Sequence, residues 1–576
     1  MARHYRRRLM LTGFEERCVP AIYLVDNPTD TSVAGQLNLR EAIGLANANA
    51  GTDSINFDSN VFNAATTITL TGGPLTLTDP VVINGPGATA LTISGSDVTR
   101  ICNINMPPGT ASVTMSGLTL THGRATNGTA LNMTDGTVIL SNMVFSFNTA
   151  TSLGGAIALT TGNLTVSNSK FQGNTSASSG GAIYGSSTCQ LTLNNDQFLA
   201  NTAAGSGGAI FAPANSSTIT ASLDIFANNR GTSGGAIYTG GGSTMTVDQS
   251  YFTGNVATSA RGGAIYESAN ATGQLVITNS TLSANTAITQ GGAVLSYYGN
   301  AKIQNSTLTG NRAVNGGAIY TVGGSGTPTL ELDFVTVSGN TATAGVGGIS
   351  VASTITVTTF TATINAKNAG TTTADLKMAN GSTLYGDNNL IGVQDSSWVT
   401  TGSSNSNFIG TANSPLDPLL NALTDDGTGF LLPDGTRIRT MAISSSQSWA
   451  YNNGGTSTFG LLYDERGIGH PRDVPGGNHD IGAYEHSVFP EPSAKLLSAP
   501  PIGAPGFAAE TITVVYTEAD GGDIDGTTFD NNDIMVTGNG YGVGQAGVLG
   551  NISGGGSSYT VTYTVAAPAG GWAART

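Results

Sequence analysis

The chain has 576 residues, of which 80 are glycine and only 10% are charged, and its net charge is −15. That length admits two to four ordinary domains, the glycine-rich small-residue composition favours short strands and tight turns over helices, and the acidity argues against a nucleic-acid partner. Cys18, Cys102 and Cys189 lie too far apart for a disulfide framework or a CxxC metal site, and no apolar run approaches the roughly 18 residues of a membrane-spanning helix.

Residues 1–21 read as a basic leader. Arg3, Arg6, Arg7, Arg8 and Arg17 crowd against Glu15 and Glu16 without the apolar stretch of a conventional signal peptide. The run "RRRLMLTGFEERCVPA" resembles the arginine-rich leader of large planctomycete surface proteins, and that resemblance implies export. Residues 22–65 are expected to form an N-terminal cap, because "LNLREAIGLANANAG" sets Leu39, Ala42, Ile43 and Ala46 at helical spacing with Gly51 as a stop. The stretch is similar to the "SLREAI" segment that precedes bacterial β-helices. From residue 66, "TITLTGGPLTLTDPVVINGPGATALTISG" supplies early, irregular coils.

Between 141 and 350 the chain repeats itself. Glycine pairs begin at Gly154, Gly180, Gly207, Gly234, Gly262, Gly291, Gly316 and Gly347, their second members including Gly155, Gly181, Gly208 and Gly235. A Phe-x-x-Asn element keeps step: Phe145 with Asn148, Phe171 with Asn174, Phe198 with Asn201, Phe226 with Asn229, Phe252 with Asn255. It then softens to Leu282 with Asn285, Leu308 with Asn311 and Val337 with Asn340. A unit this short cannot bury its own apolar face and must be stacked on its neighbours. Stacking at about 4.8 Å per coil would put the phenylalanines in one inner column and the asparagines in a buried ladder. Glycine pairs suit a turn with positive φ or a close backbone approach. Leucine-rich repeats, propeller blades and helical arrays need other skeletons or periods.

The expected fold is therefore all-β, a single-stranded parallel β-helix over 66–410, with about 13 coils and a rod on the order of 60 Å. The in-phase GGAI and FxxN elements resemble the repeat of chlamydial polymorphic outer membrane proteins, with a pectin-lyase-like, right-handed solenoid. That resemblance implies display outside the cell, in adhesion or a surface layer. The family's terminal membrane barrel has no counterpart pattern near Thr576, so autotransport is not implied.

Beyond residue 350 the repeat decays. Residues 411–486 are expected to be a C-terminal cap of the β-helix, since "SPLDPLLNALTDDGTG" and "DERGIGHPRDVPGGNHDIGAYE" resemble the closing segment of the same group. A proline-rich linker follows over 487–506. Residues 507–576 carry three alternating strands, an incomplete immunoglobulin-like β-sandwich. A truncated fragment of a larger surface protein is one reading of that ending.

Chemistry-bearing residues are sparse. The repeat holds eleven charged side chains, Lys170, Asp196, Asp224, Arg230, Asp248, Arg261, Glu267, Lys302, Arg312, Glu331 and Asp333. Asp196 and Asp224 each stand two residues before the column phenylalanine, where other coils have Ser169, Ser250, Ser280 and Ser306, so the two should stack. They are the weak candidates for a metal site, with Ca²⁺ the ion such a pair would take, although solvated turn residues are the favoured reading. The densest titratable group, Asp464, Glu465, Arg466, His470, Asp473, His479, Asp480 and Glu485, matches no zinc spacing and reads as structural. In "DGGDIDGTTFDNND" the order Asp523, Asp525, Gly526 breaks the EF-hand pattern. No catalytic or cofactor-binding residue is assigned. The expected function is a non-catalytic secreted or cell-surface protein, structural or adhesive, that binds extracellular glycans or other surface proteins. The enzymatic alternative is a β-helix polysaccharide lyase or hydrolase.

Overall fold

The computed structural model describes residues 20–567, apart from 107–111, 187, 214–216, 260, 270–272, 324–327, 354–355, 373, 396–397, 402–405, 457–459, 473–477, 487–492, 500–508, 518–523, 525, 532, 537–544 and 557. Residues 1–19 of the leader, Cys18 among them, and Asp473, Asp523 and Asp525 lie outside the described residues. The chain divides into two units, 1–485 and 486–576.

The first unit is a right-handed parallel β-helix of about twelve turns. Each regular coil contributes short strands to three parallel sheets of 27, 12 and 9 strands. The 27-stranded sheet runs as two rows because the chain bends within each coil at a residue with positive φ, such as Asn142, Asn168, Asn195, Asn279 and Asn305. Asparagine tolerates this region better than other side chains. Register is set by side-chain identity: Phe145, Phe171, Phe198, Phe226 and Phe252 are successive Cα partners. Their rings stack at 4.6–4.7 Å between centroids and within 9° of parallel, fully buried. Backbone spacing forces this near-parallel stack on rings that in isolation prefer offset or edge contacts.

The asparagine ladder is complete and longer than the repeat that announced it. Each side-chain oxygen accepts both the backbone N–H and the Nδ2 of the asparagine one coil earlier, at 2.9–3.1 Å from Asn148 through Asn340 to Asn368. The second amide hydrogen goes to a backbone carbonyl, as from Asn229 to Phe198 at 2.8 Å. At the last rung Asp375 Oδ1 replaces the next asparagine, accepting from Asn368 N at 2.7 Å and Nδ2 at 3.1 Å.

The glycine pairs serve two different needs. The first member has φ between +60° and +70° from Gly154 to Gly316. A Cβ on the second member would lie 1.9–2.2 Å from the carbonyl oxygen of the glycine in the next coil. The expected register slips at the final pair. Gly317 donates to the Val346 carbonyl and Ala318 to that of Gly348, so Val346 occupies the first glycine's place and Gly347 the second's.

The N-terminal helix spans Leu39–Ala48, with Asn38 as cap and Glu41 completing a capping box. It buries Leu39, Ala42, Ile43 and Ala46 and ends at Asn49, before Gly51. The expected start of coils at residue 66 is too late. Ile22–Val25 pairs in parallel with Asp53–Phe57, and that strand pairs with Val81–Asn84. The helix is an insertion within the first turn, which hides the spacing.

Residues 411–485, expected as an end cap, instead fold back along the flank of the solenoid. Leu416 is bonded to Gly392, and an irregular hairpin (Leu420↔Ile443, Thr424↔Thr440, Leu431↔Arg437) reaches Gln197, whose side chain donates to the Pro433 carbonyl. The return leg packs Ile481 with Ile364 and Leu390. The hairpin covers Ile225 and Tyr251 with Leu432 and Ile438, outward side chains that would otherwise leave an apolar stripe in water.

In the second unit Ser493–Ser498, placed in the expected linker, is a strand paired antiparallel with Ala509–Thr517. With Val548–Gly555 and Ser558–Ala566 it makes a four-stranded antiparallel sheet, beside a two-stranded one of Met535–Val536 and Gln545–Ala546. Val514, Val561 and Tyr563 are its core.

Candidate functional site

Asp196 and Asp224 stack as their register requires, but they face the backbone and are fully buried, which corrects the solvated-turn reading. They belong to a second ladder. Backbone N–H groups donate one coil onward from Met143 to Ser169, Ser169 to Asp196, Asp196 to Asp224, Asp224 to Ser250 and Ser250 to Ser280, at 2.7–3.1 Å. The serines return their hydroxyl hydrogen to the carbonyl two residues back, as Ser250 does to Asp248 at 2.7 Å. Asp196 does not imitate this: its Oδ2 accepts from the Asn194 N–H at 3.1 Å. Burial pushes Asp196 up to about 7, and burial with the charge of Asp196 pushes Asp224 well up. The pair is a buried backbone brace rather than an open cation site.

The cluster in the folded-back segment is likewise internal. Asp464, Glu465, Arg466, His470, His479, Asp480 and Glu485 are all at most 5% exposed, and so is Arg472, which the sequence reading passed over. Arg472 donates to Asn305 Oδ1 (3.0 Å), the Gly482 and Ala483 carbonyls (2.9 and 3.0 Å) and Glu485 (3.3 Å), and lies 4.0 Å over the Phe334 ring. Glu465 sits between the outward hydroxyls of Thr281 and Thr307, 3.0 Å from the first and bonded to the second. Burial raises it well above the carboxylate range. The Thr307 backbone N–H also donates to Glu465 Oε1 at 3.1 Å, and the Thr281 hydroxyl lies 2.6 Å from the Arg439 carbonyl. The chemistry of this set is attachment of the hairpin to the solenoid.

A cluster of opposite charges lies on an accessible face. Lys302 Nζ lies 2.5 Å from Glu331 and 3.7 Å from Asp333 on adjacent coils. Burial opposes the ammonium charge, but the hydrogen bond and charge of Glu331 and the charge of Asp333 raise Lys302 above its ordinary range.

The feature that sequence reading missed lies on the outer face of the twelve-stranded sheet. The residue after each inward isoleucine points outward, and Tyr184, Phe211, Tyr238 and Tyr266 are Cα partners on consecutive coils. Their rings are half-buried, with centroids 6.0, 4.8 and 5.0 Å apart. Leu295 and Tyr320 continue the column. The signal was present as the fifth letter of GGAIY and GGAIF, in phase with the glycines. Beside Tyr266, a cleft of about 520 Å³ is lined by Ser233, Ser259, Arg261, Thr289 and Gln290. The Arg261 guanidinium lies 5.4 Å over Tyr297, and the Tyr297 hydroxyl donates to Tyr298 at 3.0 Å. Cys102 and Cys189 are buried and unpaired, and burial pushes the Cys102 thiol up to about 12, which makes it inert.

Residues 154–335 match the family model described as a right handed beta helix region. Neither a curated protein nor a solved structure matches the chain. No helix among the described residues is long and apolar enough to cross a membrane.

Proposed function

We propose that the chain is a non-catalytic secreted or cell-surface β-helix protein of a bacterium, structural or adhesive, that holds extracellular glycans on the aromatic column of its twelve-stranded sheet. The observation that carries this reading is a run of half-buried rings, one per coil, on an outer face. Flat rings offer stacking platforms for the C–H faces of sugars, and hydroxyl and amide side chains along the adjoining turns supply hydrogen bonds. The repeat's resemblance to chlamydial surface proteins points the same way.

The polysaccharide lyase or hydrolase reading rests on Lys302, Glu331 and Asp333. An ammonium held protonated by two neighbouring acids is a poor general base, which is why this reading comes second. Incubating the protein with neutral and acidic polysaccharides, with and without Ca²⁺, separates the two. Retention of intact polymer, weakened about fivefold by Tyr238→Ala at roughly 1 kcal/mol per lost ring, is the expected result. Shortened chains or unsaturated ends would overturn it.

A further inference from the structure

The nine-stranded sheet and the turn that leads from it to the aromatic column form a flank with an unusual charge. Its outward positions include Arg124, Arg230 and Arg312, all exposed. Arg261 occupies the turn one coil beyond Arg230. Within residues 149–351 the strands of this sheet, the turns after them and the strands of the twelve-stranded sheet contain one carboxyl group, Glu267, and it is 1% exposed. A chain of net charge −15 thus presents an arginine-only strip beside its rings.

The cleft concentrates these features. Arg261 has no ion-pair partner among the described residues, and its guanidinium, which lies over Tyr297, carries N–H donors that suit an oxyanion. Tyr266 forms one wall, and Gln290 another, its side-chain oxygen without a hydrogen-bond partner and able to accept only from a donor such as a sugar hydroxyl, not from the anion. Ring, fork-shaped cation and amide line the same cleft. Arg230 to Arg312 spans three coils, roughly 14 Å.

Resting on the glycan-binding reading above, we infer that the cleft at Arg261, Tyr266 and Gln290 is an anion subsite, which pairs the carboxylate or sulfate ester of an acidic polysaccharide with Arg261 while its ring stacks on the aromatic column. Selectivity for charged over neutral sugars follows from the guanidinium, whose bidentate bonds to an oxyanion exceed those of a neutral donor.

The test compares three hexasaccharides of one linkage, neutral, uronic and sulfated, on the full chain and on Arg261→Gln. Glutamine is a conservative replacement there, because Gln290 is the Cα partner of Arg261 in the next coil. Expected is binding of a charged probe at least tenfold tighter than the neutral one, lost in Arg261→Gln and weakened by salt. The uronic and sulfated arms show which oxyanion fits. Equal binding of all three probes, unchanged in Arg261→Gln, would overturn the anion subsite and leave the aromatic platform standing. Binding of none, with intact melting, would overturn both.

Discussion

The fully buried Asn229 side chain makes four hydrogen bonds: two accepted from Asn201 and two donated, to Phe198 O and Asn255. Asn229→Ala would strand the Asn201 donors and the Phe198 acceptor, at about 1–3 kcal/mol for each buried group left unpaired. Chemical denaturation should show a loss of at least 3 kcal/mol. Two glycine substitutions should have opposite signs. Gly208→Ala sets a methyl 2.0 Å from the Gly235 oxygen and should cost several kcal/mol or prevent folding. Gly44→Ala, on the exposed face of the helix with nothing within 4 Å, should stabilise by about 1 kcal/mol. Phe171 and Asn174 were legible in the sequence because period and residue type agreed. The burial of Asp196 and Asp224 was not, because an acid in a serine's register looks like a wet turn until its backbone partners are placed.

At the scale of elements, the coils, their order and the capping helix follow from the repeat and from helical spacing. The folded-back segment does not, since partners such as Gln197, Thr281 and Asn305 lie 158 to 236 residues away along the chain and share no period with it. The polar residues of 464–485 read as a cluster, but nothing in their order said that they meet Thr281, Thr307 and Asn305. Removing a buried partner should release the hairpin locally. Arg472→Met leaves Asn305 Oδ1 without its donor and Glu485 with only the Asp480 N–H, and truncating one side of a buried pair typically costs about 3–5 kcal/mol. Limited proteolysis should then cut within 411–485 while the coils stay protected; unchanged protection there would show that Leu432, Ile438 and Ile481 hold it alone.

For the whole molecule, buried acids dictate the response to pH. Burial first of all holds Asp196 and Glu267 at about 7, Asp375 at about 6 and Glu485 at about 8, with Asp224 and Glu465 also raised. Their ordinary values are 3.8 and 4.5, so between these limits the folded chain holds protons that the unfolded chain has released. The stabilisation is whole below about pH 4 and is lost as pH rises through 6 to 8. Melting temperature should fall from pH 5 to pH 8.5, and Asp224→Asn should flatten that slope while matching the parent near pH 5. An equal slope in the variant would place the pH dependence on the other acids.

Every amide in the asparagine ladder points the same way, its N–H toward the C-terminal coil and its oxygen toward the N-terminal one. Nine aligned side-chain dipoles polarise one another and give the solenoid a head and a tail, with donor hydrogens facing Asp375 at one end and acceptor oxygen facing Gly123 N at the other. A coil added at either end therefore meets a different partner. Growth from the Gly123 end must bring donors, and growth from the Asp375 end an acceptor, so the rod is vectorial by construction and an inverted coil has no place in it.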